Sequence, residues 1–218
     1  MATPKQLVEV IATVFNVSEA TVTVHDRNLS VAGLRTMAGR GRAAAQVTPR
    51  DAANLMVAVA ASRNVKDSVY TVEQFGGLHS KQKWDCHLLN PPEMKGLGKN
   101  HTLVEAIAAL IESAMSGTLE ECAEQTTGAP ANLRNSDELF SIKIMFKGAS
   151  DIALLASISI ETEDERETEV RFYERTTSIV KGKKITQPPM PELPGKLGLF
   201  NEAYFNHWSI MDVADLLK

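Results

Sequence analysis

The strongest candidate for binding chemistry in this sequence is a run of arginines that no acidic residue interrupts. Between positions 27 and 50 the chain carries five arginines and no aspartate or glutamate: Arg27, Arg35, Arg40, Arg42 and Arg50. Two of them alternate with glycine over residues 39–42. A guanidinium group binds phosphate through parallel hydrogen bonds, and glycine lets a backbone approach a sugar-phosphate strand. The pattern predicts contact with nucleic acid, and a solvated surface loop is the alternative interpretation.

Charge is divided unevenly along the chain. Residues 1–65 contain seven basic and four acidic side chains, whereas residues 66–218 contain 16 basic and 23 acidic ones. The net charge of −4 therefore combines a positive N-terminal part with a negative remainder. This division is typical of a binding module joined to a second unit.

Residue types that could carry catalysis or hold a metal lack the partners that they need. Cys86 and His87 are adjacent, but Cys122 is distant and no second pair stands at zinc-ligand spacing. A cysteine nucleophile needs an activating base and an oxyanion donor, which the sequence does not identify. The acidic run 161–169 is typical of a solvated hairpin turn, and no phosphate loop, dinucleotide fingerprint or nucleophile elbow occurs. We predict that the protein is not an enzyme and has no catalytic residues, no metal and no cofactor.

Composition indicates a globular protein of the cytoplasm. Hydrophobic residues make up 44% and charged residues 23% of the chain, and no apolar run reaches the length of a membrane span. Residues 1–20 lack the pattern of a secretory signal, because Glu9 interrupts a short apolar stretch. Two cysteines are too few for a disulfide framework, so we expect reduced thiols.

Helix start signals place the arginines in a helical N-terminal unit. Three helices begin after hydroxyl-bearing caps, at Thr3, Ser18 and Thr48. Asn16 and Gly33 can supply the left-handed conformations that end the first two. The expected elements are a helix from Pro4, a helix over 19–31, a glycine-containing loop over 35–47, a helix over 50–62 and a short helical stretch over 68–75.

Residues 11–29 resemble the helix-turn-helix pattern of bacterial regulators. A small residue on the first helix, here Ala12, lets the second helix approach closely. A turn of apolar, polar, valine and serine type follows at 15–18, and Leu29 packs inward from the second helix. The sequence departs from the pattern at Asn16, where the family most often has glycine.

The resemblance implies that the second helix presents its N-terminal turn to the major groove of DNA. The predicted DNA-binding residues lie on the outward face of that helix and in the arginine segment after it: Ser18, Glu19, Ala20, Thr23, Arg27, Arg35, Arg40, Arg42 and Arg50. Glu19 and Asp26 count against this interpretation, since a carboxylate repels phosphate unless it accepts a hydrogen bond from a cytosine amino group.

Four short segments are similar in sequence to a group of largely uncharacterised proteins from phages and prophages of alphaproteobacteria. The segments are 26–29, 32–35, 39–42 and 48–55. This likeness covers roughly the first 65 residues of the chain. It implies a phage-related regulator acting in a bacterial host cytoplasm. No activity of such proteins can be carried over to this chain.

The remaining residues predict an α+β domain. Thr102 and Glu105 form a capping box for a helix that ends at Gly117. Apolar and polar residues then alternate with period two, which predicts an antiparallel meander of about three strands. The expected elements are an irregular connecting region over 78–101, a loop over 125–138, strands over 140–147, 154–160 and 168–176, a proline-rich arm over 181–198 and a terminal helix over 209–217.

The predicted fold class is thus α+β, with a helical DNA-binding domain (1–77), a connecting region (78–101) and an α+β domain (102–218). We expect a sequence-specific DNA-binding protein, namely a transcriptional regulator whose ligand is double-stranded DNA. We expect no binding to membranes. The second domain would form a homodimer, bind a protein partner such as RNA polymerase, or sense a ligand. A dimer would offset the modest affinity of one small motif. The alternatives are an interaction adaptor whose arginines meet an acidic partner, and a small enzyme of unrecognised type.

Overall fold

Helices precede strands along most of the chain in the computed structural model, which describes residues 2–36, 46–128, 133, 140–148, 154–162, 168–173, 179–180, 183–184 and 201–218. The helices within these residues are α1 (Pro4–Val14), α2 (Glu19–Val31), α3 (Pro49–Ala61), α4 (Ser68–Thr71), α5 (Pro92–Lys95), α6 (Leu103–Ser116), α7 (Thr118–Thr127) and α8 (His207–Leu217). A 3-10 turn (Val65–Asp67) precedes α4, and a π-helical turn (Val72–Gly76) follows it.

The predicted helix starts are confirmed by their caps. Thr3, Thr48 and Thr102 each form a capping box, and the side chain of Ser18 accepts a hydrogen bond from the backbone N–H of Thr21. Each cap satisfies backbone N–H groups that have no partner within the helix. The second helix has the predicted bounds, 19–31.

Two helices were not expected, the short α5 inside the region 78–101 and the longer α7. Part of the predicted loop over 125–138 is wrong because α7 runs to Thr127. Gly117 adopts a left-handed conformation (φ 84°) that ends α6 and stands directly before the first residue of α7. The new helix therefore begins without a side-chain cap, the signal on which sequence assignment depends.

The strands form a four-stranded antiparallel sheet in the order β3-β2-β1-β6, and a separate two-stranded pair. The strands are β1 (Phe140–Gly148), β2 (Leu154–Thr162), β3 (Thr168–Tyr173), β4 (Ile179–Val180), β5 (Lys183–Lys184) and β6 (Asn201–Asn206). The α+β class is as predicted, but the main sheet has four strands rather than three. Strand β6 was missed because its six residues mix asparagine, glutamate and aromatics without a clear alternation.

One hydrophobic core runs through residues from both predicted domains. The ring of Phe205 on β6 lies 5.7 Å from that of Phe15, just after α1, and 5.8 Å from that of Phe146 on β1. Phe146 also meets Phe75 of the π-helical turn at 5.5 Å. Helices α1, α3 and α6 each pack against α8. The sheet therefore has helices against one face, and the N-terminal helices complete their core with C-terminal elements.

The predicted connecting region over 78–101 contains a buried tryptophan and contacts β3. Trp84 is buried, and its indole N–H donates to the carbonyl of Leu89 at 2.9 Å. Arg171 of β3 donates to the side chain of Gln82 at 2.7 Å and to the carbonyl of Asp85. The segment thus lies against β3 and is held there by polar side chains.

Candidate nucleic-acid interface

The turn between α1 and α2 is closed by backbone hydrogen bonds. Val17 N–H donates to the carbonyl of Ala12 at 3.0 Å, and Asn16 N–H donates to that of Thr13 at 3.2 Å. Asn16 has φ 51°, a left-handed conformation that asparagine tolerates better than most residues. Ala12 is buried at this junction. The four residues 15–18 therefore turn the chain tightly from α1 into α2.

Helix α2 has a buried inner face and an exposed outer one. Val22, His25 and Leu29 face the core. Nδ1 of His25 lies 2.8 Å from Oγ of Ser68, which itself donates to the carbonyl of Val65, so the histidine nitrogen is the donor. Five of the predicted DNA-binding residues are exposed at the outer surface of this helix and its cap: Ser18, Glu19, Ala20, Thr23 and Arg27.

Asp26 is drawn away from that outer surface by Arg35. Nε of Arg35 lies 2.8 Å from Oδ1 of Asp26, and the two side chains are only 15% and 13% exposed. The guanidinium group also donates to Oγ of Ser30 at 3.1 Å. Burial raises the pKa of the Asp26 carboxyl, while the charge of Arg35 opposes that shift. Arg35 therefore neutralises an acidic residue that would otherwise stand beside Arg27.

The described ends of the arginine segment are fixed to the first turn of α3. The carboxylate of Asp51 accepts from the backbone N–H of Thr36 at 2.6 Å and from that of Thr48 at 2.9 Å. The side-chain amide of Asn54 donates to the carbonyl of Leu34 at 2.7 Å. Residues 37–45, with Arg40 and Arg42, lie outside the described residues. Both neighbouring stretches are therefore held against one helix.

Arg35 and Arg50 line the same cleft, which has a volume of about 570 Å³. Its walls include the caps of two helices, Thr48 of α3 and Thr102 of α6. Arg50 is exposed there. The hydrogen bond from Thr102 lowers the pKa of Glu105, and the charge of Arg50 lowers it further. The structure thus brings two of the predicted arginines together beside the end of α2, while Ser18 and Glu19 stand at the beginning of that helix.

A basic residue that sequence analysis did not single out lies beside Arg27. Lys66 and Arg27 border a hollow of about 480 Å³ on the outer side of α2, with Val24, Val31 and Val69 among its other lining residues. Lys66 belongs to the 3-10 turn between α3 and α4. Helical periodicity does not extend into such a turn, so no sequence signal related Lys66 to α2.

Cys86 and His87, which could suggest metal binding or nucleophilic chemistry, both lie against Glu169 of β3. Burial and a hydrogen bond to Glu169 raise the pKa of the Cys86 thiol to about 12, so it remains protonated. Glu169 also accepts from the backbone N–H of His87 at 3.0 Å and pairs with Arg171 at 2.5 Å. No group of histidine, cysteine and acidic residues among the described ranges could hold a metal ion.

In the described part of the chain, no helix combines the length and apolar character that crossing a membrane requires. No family model, curated protein or solved structure matches this chain.

Proposed function

We propose that the protein binds double-stranded DNA in a sequence-dependent way through the outer surface of α2, as a transcriptional regulator. The proposal is supported by a short turn, a well-capped second helix and an outer surface that carries Ala20, Thr23 and Arg27. A helix of 13 residues is about 20 Å long, which suits insertion into a major groove. The exposed N-terminal turn of α2 adds a positive end for a nearby phosphate.

The observation that carries the proposal is the ion pair between Asp26 and Arg35. It removes the acidic residue next to Arg27 from the outer surface and leaves Glu19 as the exposed acid of α2. Lys66 adds a second cation beside Arg27. Phosphate contacts of this kind position the duplex, whereas Thr23 and Ala20 can contact base edges. In this arrangement Arg35 contributes by neutralising Asp26 and does not contact phosphate itself.

The proposal is tested by fluorescence anisotropy of the full chain with labelled duplex DNA over a range of salt concentrations. We expect affinity to fall steeply as salt rises, because each neutralised phosphate releases counterions. Arg27→Ala should weaken binding by about tenfold and reduce the salt slope by about one. Lys218→Ala is the matched control, since it removes one exposed positive charge at the end of α8 and should leave affinity unchanged.

The arginines outside the described residues form a second arm of the same experiment. Arg40→Ala with Arg42→Ala should weaken binding to all duplexes alike, because glycine-flanked arginines contact the backbone or the minor groove. Thr23→Val should instead change the preference among duplex sequences. An anisotropy that does not change at low salt with any duplex in a random-sequence pool contradicts the proposal.

A protein partner is the second candidate, and exposed valines on α2 favour it. Val24 and Val31 lie on the side of α2 that faces the hollow beside Lys66, and Val31 is 83% exposed. A hollow with an apolar lining and two cations suits an acidic amphipathic helix. Val31→Asp separates the two candidates, because it should abolish binding of such a helix and reduce DNA affinity only slightly.

A further inference from the structure

The sheet carries a second exposed surface, on the side away from the helices. Residues alternate between its two faces, and the inner positions Ile144, Phe146 and Ile158 are buried. The outward positions include large apolar side chains on the two edge strands. Phe172 on β3 is 53% exposed and Tyr204 on β6 is 61% exposed. Apolar groups of this size in open solvent mark an interaction surface.

The strand register arranges these side chains in rows that cross the sheet. One row contains Phe172, Ser157, Met145 and Tyr204, one residue from each strand in the order β3-β2-β1-β6. The row therefore has large side chains on three strands and a small one, Ser157, on the remaining strand. Ser157 is only 9% exposed, because the larger side chains of Phe172 and Met145 flank it on the neighbouring strands.

From this row we infer that two copies of the chain associate through the outward faces of their sheets. The two copies are related by a two-fold axis that lies between the facing sheets. It runs parallel to the strands, midway between β2 and β1. It places Phe172 of each copy opposite Tyr204 of the other, and Met145 of each copy opposite the small side chain of Ser157 of the other. Large groups thereby meet small ones at the centre and aromatic rings meet at both edges, the self-complementarity that a two-fold interface requires.

The charges on this face are also complementary to a second copy. Among the described residues the outward face carries Lys143 and Lys147 together with Glu161 and Glu202. Lys147 pairs with Glu202 at 3.4 Å, and the Lys143 ammonium lies 4.3 Å from the centre of the Tyr204 ring. The same axis places Lys143 of each copy opposite Ser159 of the other, and Glu161 is the next outward residue on that strand. A face without net charge favours a second copy over a polyanion such as single-stranded nucleic acid.

The size of the face determines how strong the association can be. Four strands about 4.8 Å apart and six residues about 3.4 Å apart give about 400 Å² on each copy. Two such faces bury about 800 Å² in total, less than the roughly 1,200 Å² at which stable interfaces begin. The dimer is therefore concentration-dependent. It does not depend on DNA binding, because no residue of α2 takes part.

Sedimentation equilibrium of the full chain without DNA, from about 1 µM to about 200 µM, tests the inference over the range expected for a small interface. The wild-type chain should shift from monomer to dimer. Met145→Glu should weaken the dimer by about tenfold or more, because each copy would bury a carboxylate at the centre of the interface without a partner. Val31→Glu, an equal change at an exposed apolar residue of α2, should leave the association unchanged.

A cross-linking experiment checks the axis itself with two exposed residues whose replacement spares the core. Phe172→Cys and Tyr204→Cys are combined in a Cys122→Ser background and treated with a short bismaleimide. Within one copy the two positions are three strand spacings apart, about 14 Å, whereas two facing sheets are about 10 Å apart. The double variant should give a covalent dimer, and each single variant should give none.

Three results would overturn the inference. A wild-type chain that stays monomeric at the highest concentration is the first, and equal cross-linking of the single and double variants is the second. The third is a monomer that binds a labelled single-stranded oligonucleotide and loses that binding in Met145→Glu, which would assign the face to nucleic acid. Because the experiments contain no duplex DNA, their failure leaves the proposed role of α2 to be judged separately.

Discussion

The outer surface of α2 and the outward face of the sheet are both exposed, but they differ in how their charged side chains are paired. On α2 the acidic Asp26 is drawn inward by Arg35, so that Arg27 remains available beside Lys66. On the sheet Lys147 pairs with Glu202, and Lys143 lies over Tyr204. Exposure alone therefore does not identify a partner. A surface with uncompensated cations suits a polyanion, and an apolar surface with compensated charges suits another protein.

The largest effect should come from the residue that connects the two surfaces through the core. Phe205 is 4% exposed and contacts Phe15 near α2 as well as Phe146 of the sheet. Phe205→Ala should lower the free energy of unfolding by about 3–5 kcal/mol, because it leaves a cavity among aromatic rings. Urea denaturation followed by far-UV circular dichroism and by tryptophan fluorescence measures the loss.

The neighbouring residue provides the control for that prediction. Tyr204→Ala removes an exposed aromatic side chain and should change the stability of the monomer by less than about 0.5 kcal/mol. Both signals should follow one transition in every variant, because the two regions share a core. Two separate transitions would mean that the surfaces belong to units that unfold independently.

A smaller effect on stability is expected from the ion pair between Arg35 and Asp26 of α2. Arg35→Ala should destabilise the protein by about 2 kcal/mol, because it leaves the carboxylate of Asp26 in a poorly hydrated position. Adding Asp26→Asn should restore part of that stability, since the uncompensated charge is removed. Arg27→Ala, which removes an exposed arginine from the same helix, should cost less than about 0.5 kcal/mol. A double variant no more stable than Arg35→Ala would show that the pair does not control this charge.

The smallest effect is expected from pH, with one histidine in each region. Burial lowers the pKa of His25 in α2 below its ordinary value of 6.5. Burial likewise lowers that of His101, which accepts a hydrogen bond from buried Tyr173 on β3, although the Gly98 carbonyl opposes the shift. The unfolded chain therefore takes up protons before the folded one does.

Stability should consequently be complete above about pH 6.5 and should decline as pH falls from there through the lowered pKa values. Urea denaturation at a series of pH values measures the decline. His25→Gln and His101→Gln should each make the free energy of unfolding depend less on pH below about 6.5. An unchanged slope in both variants would contradict the assignment to these two side chains.

Local signals in the sequence were sufficient for the helical N-terminal region. The hydroxyl caps at Thr3, Ser18 and Thr48 and the left-handed residues Asn16 and Gly33 act over a few positions of the chain. Their effect on the backbone does not depend on distant contacts, so helix bounds could be predicted closely. The α+β class followed from the later change of period from helical to two.

Features that depend on distant contacts could not be predicted in the same way. Asp26 counted against DNA binding because its partner, Arg35, follows a left-handed turn at Gly33 that returns the chain to α2. Strand β6 pairs with β1 across about 60 residues, and its own pattern is too mixed to indicate a strand. Lys66 reaches the side of α2 through a 3-10 turn. In each case tertiary structure decided the outcome.

The packing of α1 against α8 has a consequence for synthesis of the chain. Leu7, Val8 and Ile11 of α1 are buried in the finished core, while α8 occupies residues 207–217 and leaves the ribosome long after α1. Helix α2 covers part of this apolar strip, and the part that packs against α8 remains uncovered until α8 has been made. We therefore expect nascent chains that end before β6 to expose this strip and to bind chaperones or aggregate.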